Sequence, residues 1–467
     1  MVFSSNIFLF LFLPLVIAVY FLPLERFLGR KYKNNFLLIA SLFFYSWGET
    51  KYIILLLSSI IGNYYFGLLI SKEKKYSLVI AITFNLALLC YFKYANFFVD
   101  SLNSFGISIE NKKILLPIGI SFFTFHAISY LIDIYRKKCE VQRNLLDLAL
   151  YIAFFPQLIA GPIVRYNFIQ RFLTTRTHSA ISVSYGIRRF IIGLGKKVII
   201  ANPLGEVADA VFSSGASDLT TPIAWVGIFC YSLQIYFDFS GYSDMAIGLA
   251  RVFGFKFPEN FNYPYVARSI KDFWRRWHIS LSSWFRDYLY IPLGGNRVSI
   301  TRQYLNLVLV FFLCGLWHGA SWNFVIWGLF HGLFLVLERG EKYGKALNYL
   351  PKLLQNFYAI FLVMIGWVFF RSPDLVYSMD FLKVMFVGND VGSVSNDILK
   401  ILRSHFVWMS LSLALIGFSP LMNNVYLKIR RVKCFSYLFD FFLIFVLFLC
   451  VTRLSAATHN PFIYFQF

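Results

Sequence analysis

Apolar runs long enough to cross a bilayer recur along the chain, separated by turns that are alternately rich and poor in Lys and Arg. Residues 4–24 form the first run. No Lys or Arg precedes Arg26, so the basic leader of a cleavable signal is missing and a first membrane helix is expected instead. Arg26, Arg30, Lys31 and Lys33 then set its end in the cytoplasm and the N-terminus outside. Runs at 36–47, 52–70, 77–92 and 115–134 continue the alternation. Lys72, Lys74, Lys75, Arg136, Lys137 and Lys138 mark the inner side, and the turn at 49–51 marks the outer side.

The middle of the chain is less regular. Residues 148–163 are apolar but contain Pro156, Gly161 and Pro162, the pattern of a broken or re-entrant helix. A basic stretch at 165–189 precedes apolar runs at 190–200 and 222–239, the first weakened as a span by Lys196 and Lys197. Residues 251–302 hold nine Lys or Arg and three acids and no run able to cross a membrane. Within them, at 100° per residue, Trp274, Trp277, His278, Leu281, Trp284, Phe285 and Tyr288 share about 120° of arc, which predicts one interfacial helix over 272–289. Its other side carries Arg275, Arg276 and Arg286, and its only clear misfit is Ile279. Runs at 304–317, 323–337, 353–370, 406–422 and 438–451 complete the series. The pattern predicts an all-α polytopic membrane protein with about 11 transmembrane helices plus re-entrant and interfacial helices.

Composition agrees with the pattern. Of 467 residues, 58% are hydrophobic and 14% charged, against roughly 25% charged in soluble domains, which excludes a water-soluble globule. The formal charge of +21 would suggest nucleic acid in a soluble protein; here basic loops that orient the chain and touch anionic lipid account for it, and no nucleic-acid partner is expected. The six cysteines are widely spaced, with no C-x-x-C pair and no His at zinc-finger distance, so no metal site is expected.

Candidate chemistry rests on histidine. His178, His405 and His459 lie in polar loops or the tail and are expected to be solvated, whereas His126, His318 and His331 lie in or beside apolar runs, where an ionisable group is costly to keep. His318 stands in Gly315-Leu316-Trp317-His318-Gly319-Ala320-Ser321, a bend between two apolar runs with no charged loop. The glycines would let backbone or an acyl chain approach, and a desolvated imidazole is neutral, the form a general base needs. On one straight helix His331 would lie about 220° from His318, which reads it as a supporting or packing residue. Asp238 and Asp244, in DFSGYSD, read as a polar knot at a helix break in preference to a catalytic or metal site. The nucleophile elbow, P-loop, zincin and H-x-x-x-x-D patterns are absent from the sequence.

Several ordered blocks then carry a family resemblance: LPIGISFFTFHAISYLIDIYR at 116–136, FFPQLIAGPIVR at 154–165, YFDFSGYSDMAIGLA at 236–250, DFWRRWHISLSSWFRDYLYIPLGGNR at 272–297, LWHGASWNFVIWGLFHG at 316–332 and PFIYFQF at 461–467. Together they resemble the membrane-bound O-acyltransferase family, in its bacterial branch of alginate and peptidoglycan O-acetyltransferases. The resemblance implies a single membrane-embedded domain over 1–467, with N-terminal spans at 1–115 and the family-like core at 116–467, around a central funnel. It implies an essential histidine at His318 and a second polar position at His278. His126 departs from the family, where glutamine is expected more often.

The combined expectation is an O-acyltransferase in the cytoplasmic membrane. It takes acetyl from a cytoplasmic donor, acetyl-CoA, and has no permanently bound cofactor. Arg275, Arg276 and Arg286 would meet the donor phosphates. His318 would be the general base and His278 would orient or polarise. The implied partners are membrane lipid, an extracytoplasmic acetyltransferase or esterase, and a polysaccharide acceptor. The alternatives are D-alanyl transfer to teichoic acid and a non-enzymatic transporter or scaffold of a polysaccharide secretion complex.

Overall fold

The computed structural model describes residues 1–29, 31–110, 113–389, 394–429 and 433–456. Arg30, His459 and the block at 461–467 lie outside them. Among the described residues every regular element is a helix, as expected. In chain order these include α1 (Ile53–Ser71), α2 (Ser77–Ser104), α3 (Ile120–Tyr135), α4 (Ala180–Gly195), α5 (Thr221–Val252), α6 (Ile270–Arg276), α7 (Ile279–Phe285), α8 (Ile300–His318), α9 (Trp322–Arg339) and α10 (Lys352–Arg371).

Six helices are long and apolar enough to cross a membrane: α1, α2, α5, α8, α10 and Cys434–Ala456. The pair Asn396–Leu402 and His405–Gly417, bent by 59°, makes a seventh candidate. This is a multi-pass membrane architecture. Other apolar runs form shorter helices, among them Phe8–Phe21 and α3, because a run's length does not reveal where its backbone bends. The run at 190–200 is such a case: it is the end of α4 continuing into a π-helical turn, Lys196–Ala201.

Surroundings differ sharply among the long helices. Protein buries 83% of the apolar window of α5, but 33% of that of α1 and 22% of that of α2. The first is an internal helix; the other two leave most of their apolar surface for lipid.

The described residues group into two compact units, 1–190 with 242–258 and 191–241 with 259–467. The N-terminal spans and the start of the family-like core lie together in the first unit. There α1, α2 and α3 run alternately up and down. Asn63 and Asn85, fully buried on α1 and α2, exchange amide hydrogen bonds of 3.1 and 2.7 Å, which satisfies polar groups that lipid could not. The basic turns after α1 and α3 line one groove, where Lys137 pairs with Glu73 at 2.8 Å. At the opposite ends of these helices Tyr52 donates to the Leu115 carbonyl. The stretch 148–163 is broken as predicted: Leu145–Ala153, N-capped by Asn144, is followed by the single turn Phe155–Leu158. His178, expected to be solvated, is instead half-buried, with its ring 2.9 Å from the Tyr20 hydroxyl.

In the second unit, α8 and α9 form a hairpin. A Cβ on Gly315 would stand 2.3 Å from the Phe324 carbonyl oxygen, and one on Gly328 would stand 2.3 Å from that of Phe311. Glycine at both positions lets the two backbones touch. Asn323 closes the turn by donating to the carbonyls of Phe369 and Ser372 at the end of α10.

Candidate functional site

The predicted aromatic helix over 272–289 is two helices. α6 ends at Arg276 and α7 begins at Ile279, and between them His278 adopts φ 42°, ψ 54°. A left-handed non-glycine residue costs on the order of 1–3 kcal/mol, so it persists only where its surroundings hold it. They do so through the segment around Asn260. The Ile279 amide donates to the Asn260 carbonyl at 2.9 Å, and the Asn262 amide to the Arg276 carbonyl at 2.9 Å. The aromatic side is buried as the periodicity required, with Trp277 3% and Trp284 7% exposed, and Ile279 is a misfit because the helical phase resets one residue before it.

His278 is fully buried and lies outside the candidate spans. Its Nδ1 lies 3.2 Å from Asn260 Oδ1, which also accepts from the Ser280 amide at 3.1 Å and the Ser280 hydroxyl at 2.8 Å. Its Nε2 has no hydrogen-bond partner among the described residues. Burial alone pushes the imidazole down to about 3, so the ring is neutral at any physiological pH. Phe239 of α5 meets it edge to face, with centroids 4.6 Å apart.

His318 is the last residue of α8 and 5% exposed. Aromatic rings wall it: Trp317 and Trp327 at 5.0 Å and Phe370 at 5.2 Å between centroids. Trp317 also lies 6.2 Å from His278, so one indole borders both predicted site histidines. The glycines beside His318 serve the hairpin: a Cβ on Gly319 would stand 2.1 Å from the Phe324 ring. The space expected for backbone or an acyl chain is therefore taken by α9.

His331 follows on α9, beyond the bend, so the single-helix angle does not apply to it. It meets Trp327 edge to face at 5.1 Å and Trp274 likewise at 5.2 Å between centroids. A Cβ on Gly366 of α10 would stand 2.8 Å from its Nε2, which leaves no room for a reactant there.

The three arginines differ in what holds them. Arg276 pairs with Asp272 at 3.1 Å and Arg286 with Asp287 at 2.6 Å, whereas Arg275 is exposed with no ion-pair partner among the described residues. Of the three, Arg275 is the cation left for an anionic ligand.

DFSGYSD contains no helix break, since α5 runs through it unbroken. Asp238 pairs with Lys197 at 3.0 Å, both nearly inaccessible, and Asp244 pairs with Arg189 at 2.7 Å. The two acids are spent on ion pairs, which accounts for the polar knot and for Lys197 within an apolar segment.

Sequence reasoning missed Asn260. Its signal was the turn-forming run Pro258-Glu259-Asn260-Phe261-Asn262-Tyr263-Pro264, in which short polar side chains compete for backbone groups.

Comparison with known proteins agrees with this geometry. Residues 137–371 match the family described as MBOAT, membrane-bound O-acyltransferase family. The probable alginate O-acetylase AlgI of Azotobacter vinelandii is 47% identical, over 84% of this chain and 79% of that protein. The peptidoglycan O-acetyltransferase of Helicobacter pylori is 39% identical over 82% and 80%. The teichoic acid D-alanyltransferase of Bacillus subtilis is 32% identical over 50% and 62%. With the buried histidine pair and the helical membrane fold, these matches make the chain an O-acyltransferase that belongs to the membrane-bound O-acyltransferase family.

Proposed function

We propose that this enzyme O-acetylates a cell-envelope or secreted polysaccharide, using acetyl-CoA from the cytoplasmic side and passing the group across the membrane through a funnel in the helical core. The observation that carries the reading is the pair His318 and His278, both buried and both bordering Trp317. His318 removes the acceptor hydroxyl proton while the oxygen attacks the thioester carbonyl. The new C–O bond forms, the C–S bond breaks, and the proton passes to the departing thiolate. His278 orients the reactants. Arg275 meets the donor phosphates, and Arg276 and Arg286 join it where a phosphate displaces Asp272 or Asp287 from them. Where that acceptor hydroxyl belongs to an extracytoplasmic transferase or esterase, a second transesterification moves the acetyl from the partner's ester to a polymer hydroxyl and restores the partner's own hydroxyl. Acetyl transfer is favoured over D-alanyl transfer because the acetyltransferase relatives match over four-fifths of the chain and the D-alanyltransferase over half. Inverted membrane vesicles given labelled acetyl-CoA should release free CoA and yield acetylated polymer, and Arg275→Glu should raise the donor concentration needed. Label transfer from a D-alanyl carrier protein and none from acetyl-CoA would replace this reading.

We infer that the membrane is the cytoplasmic one and that the N-terminus is outside. The shared groove of the basic turns at 72–75 and 136–138 supports placing both on the inner side. An impermeant thiol reagent on intact cells should label Thr50→Cys and spare Lys137→Cys in a background lacking the native cysteines. The opposite pattern inverts the topology.

A further inference from the structure

Asn260 is fully buried, and its side-chain oxygen lies within hydrogen-bond range of three donors, one of which is the ring of His278. The Ser280 backbone amide can only donate, so it fixes which end of the Asn260 amide faces the histidine: the oxygen, not the NH2. An amide oxygen can only accept. The Ser280 hydroxyl, 3.5 Å from the same ring nitrogen, gives its one proton to the Asn260 oxygen at 2.8 Å, so the ring nitrogen facing that oxygen carries its own proton.

We propose that Asn260 is a positioning residue that sets the tautomer of His278, holding the proton on Nδ1 and leaving Nε2 as a bare acceptor toward a substrate O–H or N–H group. This rests on the acyl-transfer reading and decides a point within it. A nitrogen without a proton cannot polarise the thioester carbonyl by donating to it. His278 thus orients a substrate by accepting a hydrogen bond, from a neighbouring sugar hydroxyl or an amide of the donor, while His318 takes the reacting proton. The same carbonyl and amide oxygens of Asn260 also hold the left-handed backbone at 278, so one residue fixes both the direction of the ring and its proton.

The titratable groups on the elements around His278 are Asp238, already held by Lys197, Glu259, Lys271, Asp272, paired with Arg276, Arg275 and His318; burial alone governs the titration of His278. Asn260→Asp keeps an acceptor for both Ser280 donors and changes one thing. The carboxylate stabilises the imidazolium, in which Nε2 is protonated and no longer accepts. Acetyl transfer by Asn260→Asp should fall about tenfold per pH unit below the raised value and recover as pH increases, an acid limb at higher pH than the one the His318 base gives the wild-type enzyme. A profile of wild-type shape in an active Asn260→Asp enzyme would overturn the proposal. A wild-type enzyme inactive with acetyl-CoA at every pH would instead overturn the choice of donor in the acyl-transfer reading. The tautomer can also be read without activity or that variant, from nitrogen-15 spectra of histidine-labelled wild-type protein with the His278 signals assigned by their loss in His278→Gln. A neutral ring protonated on Nδ1 is expected. A ring protonated on Nε2 would overturn the assignment even if Asn260→Asp failed to fold.

Discussion

His278 and His318 border the same tryptophan, yet their backbones and neighbours differ. His278 sits in a polar cradle built by a loop 18 residues upstream, with a strained backbone and a hydrogen-bonded ring. His318 sits at an unstrained helix end and is confined by indole and phenyl rings on several sides. The polar cradle fixes which nitrogen of His278 carries the proton, and the aromatic rings fix where the His318 ring lies. The contrast suits a division of labour in which one histidine keeps a constant protonation state and the other gains and loses a proton in each turnover.

Substitutions can break this contrast at graded cost. The largest effect should come from Trp277→Glu, which places an unpaired charge where Trp277 packs on Phe273 and Trp367. Folded protein should not accumulate, as read by fluorescence-detected size exclusion, while Ser283→Glu on the opposite side of α7 should leave yield near wild type. Next is the ion pair behind Phe239. Asp238→Ala strands the buried Lys197 ammonium and should cost about 3–5 kcal/mol in detergent unfolding, whereas the pair Asp238→Leu with Lys197→Met should recover most of it. His278→Ala should keep the fold and lose roughly 10- to 100-fold in acetyl transfer, the scale of lost orientation. His331→Ala should be mildest in activity per folded molecule, because its ring is enclosed by Trp274, Trp327 and Gly366, and should appear mainly as a lower thermal midpoint.

Much of the architecture was legible because it follows from periodicity. The alternation of basic turns anticipated which loops meet, and the 100° spacing anticipated that Trp274, Trp277 and Trp284 would be buried. The bend at His318 was legible from its glycines and the missing charged loop. The break at His278 was not, since periodicity averages over a window and one left-handed residue hardly disturbs it; Ile279 out of phase was the trace it left. Asn260 and Lys197 were missed for another reason. Each acts on a residue remote in sequence, and nothing local in NFN or GKK names the partner. Pairing the acids of DFSGYSD with Lys197 and Arg189 required the antiparallel approach of α4 and α5, which is tertiary information.

The central claim is that His318 is the base for acyl transfer, and its most direct test is the rate of polymer O-acetylation by His318→Ala at matched membrane abundance. A general base typically contributes about 10²- to 10⁴-fold, so a well-inserted variant should lose that much while remaining folded by size exclusion. Acetylation at the wild-type rate by such a protein would contradict the account and return His318 to a packing role.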